Sequence, residues 1–295
     1  MRKRHVSGKD IAFDIVIILI AVIVFFITIF PFWNILVKSF NSPADNLRSG
    51  IILWPRDFTA ASYEMVLKDS QFLQSFKVSV LRVLTGVPLS LLFTSMAAFV
   101  LTREKLLARK IISMCFIFTM YFSGGIIPQY IIYRTLALTN TFWVYILPAC
   151  MDVWNMLLIM TYIRSLPKEL EDASSIDGAN EAVMFFRVIL PLSLPIMATV
   201  GLFVAVGHWN SWFDSHIFVH DASLKTMQAY LVRILQQNDT RELMNNVGAS
   251  GQRLLINSDT LRMATTIIAT VPIICVYPFV QRYFVKGILV GAVKA

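Results

Sequence analysis

The sequence has 295 residues, of which 57% are hydrophobic and only 15% are charged, with a formal net charge of +8. Soluble globular domains carry about 25% charged residues, so this composition excludes an ordinary soluble protein and indicates a membrane protein. The positive charge is spread along the chain without an arginine cluster among aromatics, which argues against nucleic acid as a partner and favours membrane lipid.

Six segments are apolar enough to cross a bilayer, which requires about 20 predominantly apolar residues in succession. In chain order they are residues 15–37, 83–102, 111–133, 141–163, 188–213 and 263–281. The sequence therefore predicts an all-α integral membrane protein with six transmembrane helices. A single membrane domain would cover 15–285, with short tails at 1–14 and 286–295.

The first span follows the basic segment MRKRHVSGK, a start that secretory signal peptides share. Its apolar run exceeds the roughly 7–15 residues of a signal-peptide core, and no small-residue cleavage site follows Phe40, so we interpret it as a retained anchor. With six spans, the N-terminal side of the membrane carries 14 Lys and Arg in 61 residues, and the other side 12 in 101. Basic loops stay in the cytoplasm, so both termini are predicted to be cytoplasmic in a multi-pass protein of the cytoplasmic (inner) membrane.

The third and fourth spans each contain a feature with two interpretations. Residues 123–128 read SGGIIP and either end a shorter span or break a helix that lines a pathway. Asp152 lies within the fourth span and either lines a cavity or meets a neighbouring polar group. Ion-driven carriers place ionisable residues deep in their spans. Here Asp14, Arg82 and Asp152 have no opposite charge at helical spacing, so a gradient-driven sugar transporter is only the alternative hypothesis.

Motifs for catalysis and nucleotide binding are absent from the sequence, which has no GxxxxGK[ST], HExxH, GxSxG or paired CxxC. His208, His216 and His220 cluster near the outer end of the fifth span, but their spacing straddles a predicted helix end. That spacing favours an interfacial or pore-facing polar cluster over a metal site. We expect no enzyme activity, metal or cofactor in this chain, so energy must come from a partner or an ion gradient.

The longest predicted cytoplasmic loop, 164–190, is expected to form two short helices separated at Asp177-Gly178. Ser165 is expected to cap the first helix, which covers residues 168–175. Asp177 is expected to cap the second helix, and Gly178 to permit a tight bend and close approach of another backbone.

The composition of this loop favours a protein partner over a lipid surface. Its small residues let another protein approach the backbone. Residues 164–187 hold five acids and three bases, whereas helices that lie on lipid carry Lys and Arg on their polar face. Glu169, Glu171 and Asp172 are expected to meet basic groups on that partner.

The segment DASSIDGANEAVMFFRVILP resembles the EAA motif of ABC importer permeases, written EAA, three residues, Gly, nine residues, Ile-x-Leu-Pro. Seven residues occupy the fixed positions of this motif: Asp172, Ala173, Ser174, Gly178, Val188, Leu190 and Pro191. Asp for Glu, Ser for Ala and Val for Ile are the departures from it.

Likeness to carbohydrate-uptake permeases extends over nearly the whole chain. It includes LWPRDFTAASYEMVL at 53–67, WNSWF at 209–213 and SLKTMQAYL at 223–231. The chain is similar to the maltose-type second permease (MalG-like), and more closely to the branch for complex oligosaccharides and polysaccharides, called lipo-oligosaccharide permeases.

This resemblance implies a type I ABC importer permease fold with a cytoplasmic coupling helix, and ATP-driven import of an oligosaccharide or polysaccharide by alternating access. The implied partners are a second related permease, two ATP-binding cassette ATPases that bind the ATP and Mg²⁺, and an extracytoplasmic solute-binding protein. The implied ATPase-coupling residues are Glu171, Asp172, Ala173, Ser174, Asp177, Gly178, Ala179, Phe186, Leu190 and Pro191.

The substrate pathway is predicted from aromatic and hydrogen-bonding side chains, which bind sugars. The candidates are Tyr121, Tyr130, Asp152, Trp209, Asn210 and Trp212. For the aromatic residues the alternative is a place in the aromatic belt at the membrane interface. The three outer histidines and Arg233 would suit an anionic, uronate-containing glycan such as alginate or pectin fragments.

Overall fold

A computed structural model describes residues 8–46, 50, 53–236 and 258–292. Within these residues the regular structure is helical apart from an isolated antiparallel bridge between Asn41 and Phe58. The chain divides into two compact units, Met1–Asp69 with Ile234–Ala269, and Ser70–Arg233 with Thr270–Ala295. Residues 1–7 and 293–295, parts of the predicted cytoplasmic tails, lie outside the described residues.

The first unit begins with a long apolar helix. Its helices are α1 (Gly8–Ser39), α2 (Pro43–Asn46) and α3 (Ala61–Lys68). From Phe13 through Trp33 the side chains of α1 are exposed or nearly so, including Phe26 at 63% and Ile27 at 69%. Exposed apolar side chains along this length suit a hydrocarbon environment and would be unfavourable in water.

The segment after α1 is folded back by one asparagine. Asn41 Nδ2 donates to Asp45 Oδ2 and Asn46 Oδ1, at 2.9 Å each. Its Oδ1 accepts from the backbone N–H groups of Arg56 and Asp57 at 3.0 and 2.9 Å. Asn41 is fully buried, so these four bonds satisfy a side chain that would otherwise destabilise the fold.

The second unit contains the helices of the central membrane spans. In chain order they are α4 (Ser70–Thr102), α5 (Arg109–Tyr121), α6 (Ile126–Thr135), α7 (Val153–Arg164), α8 (Glu169–Ile176), α9 (Glu181–Met184), α10 (Leu190–Leu192), α11 (Leu194–Asn210) and α12 (Phe213–Phe218). A π-helical turn, Phe185–Ile189, joins α9 to α10. The last helix, α13 (Ser258–Ala292), contains the sixth predicted span.

Helix α4 is the centre of this unit, because α7 and α11 both pack against it. The buried face of α4 is lined by small residues, among them Ser79, Gly86, Ser90 and Thr94. Small side chains let neighbouring helices approach closely, which is how helices associate in a membrane without a hydrophobic driving force between them. At one end of the interface, Ala98 packs with Met156, Ile159 and Val200, all fully buried.

Helical segments lie at each predicted span, but several of these segments are bent. Two described helices are long and apolar enough to cross a membrane, and up to five spans result if each of three bent helix pairs counts as one. The third span is α5 and α6, which meet at 115° across Gly125, a residue with φ +85°. Within the fifth predicted span, residues 188–213, the chain bends by 80° between the helical segment that ends at Leu192 and α11. The count of six spans stays a prediction.

Where α4 meets α11, Gly86 leaves space for the side chain of His208. A Cβ at this position would lie 2.5 Å from His208 Nε2, and the His208 side chain is buried. Gly207, one residue before that histidine, has no atom within 4 Å of the equivalent position. Two glycines in the same pair of helices therefore differ in whether an added methyl group has room.

Replacing Gly86 with Ala should destabilise the protein by about 1–3 kcal/mol, because the methyl group must displace the histidine ring from its buried position. Gly207→Ala should leave stability unchanged or raise it slightly, since alanine is the better helix former. Thermal unfolding of the two purified variants in the same detergent measures the difference. Equal unfolding midpoints would contradict the tight contact between Gly86 and His208.

Candidate functional site

The predicted cytoplasmic loop forms two short helices, as expected, but both predicted caps are wrong. Ser165 follows the end of α7, where its hydroxyl donates to the Tyr162 carbonyl at 2.7 Å. Helix α9 is capped by Asn180, whose Oδ1 accepts from the Val183 N–H at 2.8 Å. Asp177 instead ends α8, because the chain needs the next two residues to reverse direction before another helix can begin.

The reversal after α8 is a Schellman motif centred on Gly178. The Ala179 N–H donates to the Ser174 carbonyl at 3.0 Å, and the Gly178 N–H to the Ser175 carbonyl at 3.1 Å. Gly178 has φ +77°, a left-handed conformation that other residues adopt at a cost of roughly 1–2 kcal/mol. A Cβ here would meet no atom within 4 Å, so the conformation and not an internal contact requires the glycine.

The predicted coupling residues divide by exposure. Six lie exposed: Asp172, Ala173, Asp177, Gly178, Phe186 and Pro191. Four are half-buried: Glu171, Ser174, Ala179 and Leu190. Ile176, which the sequence argument did not single out, is 86% exposed at the end of α8. With Leu170 it is one of two large apolar residues in the eight-residue helix α8. Together these residues give α8 an open outer face with an apolar group beside the Gly178 turn.

The three acids of the first turn of α8 have different surroundings. Glu169 and Asp172 are exposed. Glu171 forms a bidentate ion pair within the chain, with its carboxylate oxygens 2.8 and 2.9 Å from the guanidinium nitrogens of Arg103. Glu171 therefore has a partner within the chain, whereas the expected contact of Glu169 and Asp172 with a basic partner remains a prediction.

The second helix of the loop is anchored in the core of the second unit. Met184, Phe185 and Ile189 are buried, and the Phe185 ring lies 5.2 Å from that of Phe99 on α4. Phe186, the predicted site residue, is 50% exposed. The π-helical turn adds a residue to one helical turn and so places Phe185 inward.

The predicted pathway residues have separate neighbours in the structure. The Tyr130 ring stacks on Phe218 at 6.1 Å, and the buried Trp209 ring meets Phe76 edge-on at 6.0 Å. Tyr121 is 80% exposed, whereas Trp212 is 37% exposed. Asn210 is the exposed last residue of α11.

Asp152 has a local structural partner. Its carboxylate caps α7 by accepting a hydrogen bond from the Asn155 N–H at 2.7 Å. The fourth span bends by 43° between residues 142–149 and α7, so Asp152 lies at a helix start rather than in a helix middle. Asp152 is also exposed, so both interpretations drawn from the sequence remain predictions.

A buried polar network lies where α4, α11 and α12 meet. Arg82 on α4 is 3% exposed, and its Nε donates to His208 Nδ1 at 3.1 Å. Its two terminal nitrogens both bind the Asp214 carboxylate, one of them at 3.1 Å to Oδ1. The guanidinium carbon also lies 4.7 Å from the centre of the Tyr145 ring. A buried arginine thus has a counter-charge, a neutral acceptor and an aromatic face.

The three outer histidines do not converge. His208 is in the Arg82 network, the His216 ring lies 6.1 Å from that of Trp212, and the His220 backbone N–H donates to Asn140 Oδ1 at 2.9 Å. Within the residues that the structure describes, no group of three or more His, Cys, Asp or Glu side chains could hold a metal ion.

Lys225 binds carbonyl oxygens of α12 and of the residue directly after it. Its ammonium donates to the Ser215 carbonyl at 2.8 Å and also to the Val219 carbonyl. Burial lowers the pKa of Lys225, with the nearby Arg233 charge acting in the same direction. Arg233 itself is exposed, with its guanidinium 5.4 Å from the Tyr230 ring centre. Of these two cations, Arg233 is the more accessible to an anionic solute.

The chain matches the family described as binding-protein-dependent transport system inner membrane component over residues 69–290. Protein LplC of Bacillus subtilis is 36% identical over 290 residues, covering 98% of this chain and 97% of the relative. The polygalacturonan/rhamnogalacturonan transport system permease protein YtcP of the same organism is 31% identical over 291 residues, with 97% and 99% covered.

A crystal structure of a bacterial ABC transporter involved in import of the acidic polysaccharide alginate contains a chain of the same fold. That chain is 27% identical, with a TM-score of 0.84, and the match covers 94% of this chain and 98% of that one. A chain from the alginate transporter in complex with its alginate pentasaccharide-bound periplasmic protein has a TM-score of 0.55 at 14% identity. The second match shows likeness of fold alone.

Replacing Asp214 with Asn should destabilise the protein by about 3 kcal/mol, because the buried Arg82 charge loses its counter-charge. Glu64→Gln is the control, since it removes an exposed ion pair to Lys68 whose side chains are 67% and 77% exposed; such pairs contribute about 0–1 kcal/mol. Thermal unfolding in detergent measures both. The double variant Arg82→Met/Asp214→Leu should recover part of the loss, and identical midpoints for Asp214→Asn and Glu64→Gln would refute this role.

Proposed function

The chain belongs to the family of binding-protein-dependent transport system inner membrane components, and we propose that it imports an acidic oligosaccharide or polysaccharide as a permease subunit of an ABC importer. We infer the substrate class from the names of two relatives that match nearly the whole of this chain. One is named for polygalacturonan and rhamnogalacturonan, and the other takes part in alginate import. All three polysaccharides carry uronate carboxylates, and the exposed Arg233 offers a cation on the predicted outer side.

The proposed assembly contains this chain, a second related permease, two ATP-binding cassette ATPases and an extracytoplasmic solute-binding protein. The family description itself names dependence on a binding protein. In this assembly the chain has six spans and cytoplasmic termini, as the distribution of Lys and Arg predicts. ATP and Mg²⁺ would bind to the ATPases, and this chain would supply no chemical step.

Helix α8 is proposed as the coupling helix that docks in a groove of one ATPase. Three features of α8 support this role: its exposed Glu169 and Asp172, its exposed Ile176, and the open turn at Gly178. An apolar side chain left exposed on a polar cytoplasmic helix suits a protein contact, because burying it releases ordered water. Closure of the ATPases would then move the permease between inward-open and outward-open states as rigid bodies.

A gradient-driven carrier, the alternative drawn from the sequence, is not favoured by any feature of the described residues. It depended on Asp152, whose carboxylate caps α7. The buried charge of Arg82 is already paired with Asp214. An ATP-driven mechanism needs no ionisable residue of its own at membrane depth.

We expect Gly178→Arg to leave the subunit in the membrane and to lower uptake by more than about tenfold, which corresponds to about 1.4 kcal/mol of lost docking free energy. Gly178→Ala is the matched control, since it imposes the same backbone strain without the bulk. Ile176→Glu tests the same face without any strain. Retention of the ATPase during purification is the measurement, together with uptake into vesicles. If Gly178→Arg, Gly178→Ala and the wild type retained the ATPase and took up solute equally well, the assignment of α8 as the docking helix would be wrong.

The substrate class is tested on the complex purified from its own host in mild detergent and reconstituted with its solute-binding protein. A second permease and an ATPase should co-purify with this chain. Oligogalacturonides should stimulate ATP hydrolysis, because their carboxylates match a pathway for acidic glycans, and neutral malto-oligosaccharides of equal length should not. Stimulation by the neutral series alone would overturn the acidic substrate class and leave the permease assignment intact.

A further inference from the structure

We propose that Arg103 is a positioning residue that transmits motion of α8 to the membrane helices, through its ion pair with Glu171. This inference rests on the proposed role of α8 as the ATPase-docking helix. It adds a specific route from that helix into α4, along which force from ATPase closure passes into the membrane core.

The geometry of this ion pair is that of a rigid link. Arg103 Nη1 lies 2.8 Å from Glu171 Oε2, and Nη2 lies 2.9 Å from Oε1, so both arms of the guanidinium fork are engaged. Paired bonds of this kind fix orientation as well as distance, which a single lysine contact does not. The Arg103 side chain is 17% exposed and that of Glu171 30%, so water screens the pair only partly.

Arg103 is held from two further directions. Its guanidinium carbon lies 4.1 Å from the centre of the Phe99 ring on α4, and Nη1 lies 3.5 Å from Met184 Sδ on α9. Phe99 and Met184 are themselves buried in the core of the second unit. The arginine therefore joins the end of α4 to both helices of the loop. A shift of α8 must either break the ion pair with Glu171 or move Arg103 with it.

The guanidinium also has a second carboxylate within reach. Its Nε is buried and has no hydrogen-bond partner, while Glu181 Oε2 on α9 lies 3.7 Å away, just beyond hydrogen-bond distance. A small movement of α9 toward α4 would bring this N–H into contact with Glu181. Arg103 can thus keep a carboxylate partner when the two loop helices move relative to each other.

Arg103 lies next to the central helix of the second unit, so movement of Arg103 would act on that helix. Arg103 follows directly after α4, the helix on which α7 and α11 pack. Arg82 lies 21 residues earlier on the same helix, about 30 Å away at the rise of an α-helix. Displacement of the Arg103 end of α4 would therefore reach the buried Arg82–Asp214 network along this single helix, which contains Pro88 between the two arginines.

A neighbouring ion pair provides a matched control. Lys168 lies 3.3 Å from Glu104 and connects the same two segments, but the two side chains are 83% and 78% exposed. Exposed pairs with one contact contribute little, because water screens them and two long side chains must be ordered. If any salt bridge between these segments were sufficient, both pairs would behave alike.

The test uses the complete reconstituted transporter, with acidic oligosaccharide transported per ATP hydrolysed as the readout. Glu171→Gln and Arg103→Lys should each keep the ATPase bound and lower this ratio about tenfold, within the 5–150-fold range of typical coupling between sites. Glu104→Gln should leave the ratio unchanged. The reversed pair, Arg103→Glu with Glu171→Arg, should recover part of the ratio, which a general loss of stability would not produce.

Three outcomes would overturn the inference. An unchanged ratio in Glu171→Gln, with wild-type ATPase retention, would remove the link while leaving α8 docking in place. Loss of the ATPase in Glu171→Gln would make Glu171 a docking residue. An equal fall in Glu104→Gln would deny any special role for Arg103. Failure of the proposed function is distinguishable, because Gly178→Arg would then retain the ATPase as well as wild type does. If Arg103→Lys does not accumulate in the membrane, the transport ratio of Glu171→Gln is by itself the test of the inference.

Discussion

Two arginines, Arg82 within α4 and Arg103 directly after it, connect α4 to other helices of the second unit, because a charge removed from water must find an opposite charge. Arg82 is buried against Asp214 and His208, and Arg103 is clamped to Glu171. Neither arginine can be left alone, since an unpaired buried charge costs several kcal/mol. These pairings connect the middle of α4 to α12 and the residue after its C-terminus to α8, and α7 and α11 pack against α4.

The backbone imposes the second constraint, at the turn between α8 and α9. A left-handed residue is required to satisfy the last carbonyls of α8, and glycine meets this requirement without strain. The same absence of a side chain leaves the turn open to another protein. Local folding and the proposed docking of an ATPase thus both favour glycine at position 178.

Much of the architecture was predictable from local properties of the chain. Hydropathy located the long helices, because the bilayer requires long apolar segments, and the Asp177-Gly178 break indicated two short helices in the loop. The details of the caps were not predictable, since Ser165, Asp177 and Asn180 are all good cap residues and the choice depends on where the preceding turn ends. The placement of Phe185 and Phe186 likewise depends on a π-helical turn that no sequence period indicates.

By itself, the sequence determined that this is a helical membrane protein, where its apolar segments lie, and that one loop resembles the EAA motif around Gly178. These properties are local, because hydropathy and left-handed turns depend on a few neighbouring residues. Only the tertiary structure decided the partners of the charged groups. Arg82 pairs with a residue 132 positions away and Arg103 with one 68 positions away. Such pairings follow from how helices pack, which brings together side chains that no spacing along the sequence relates.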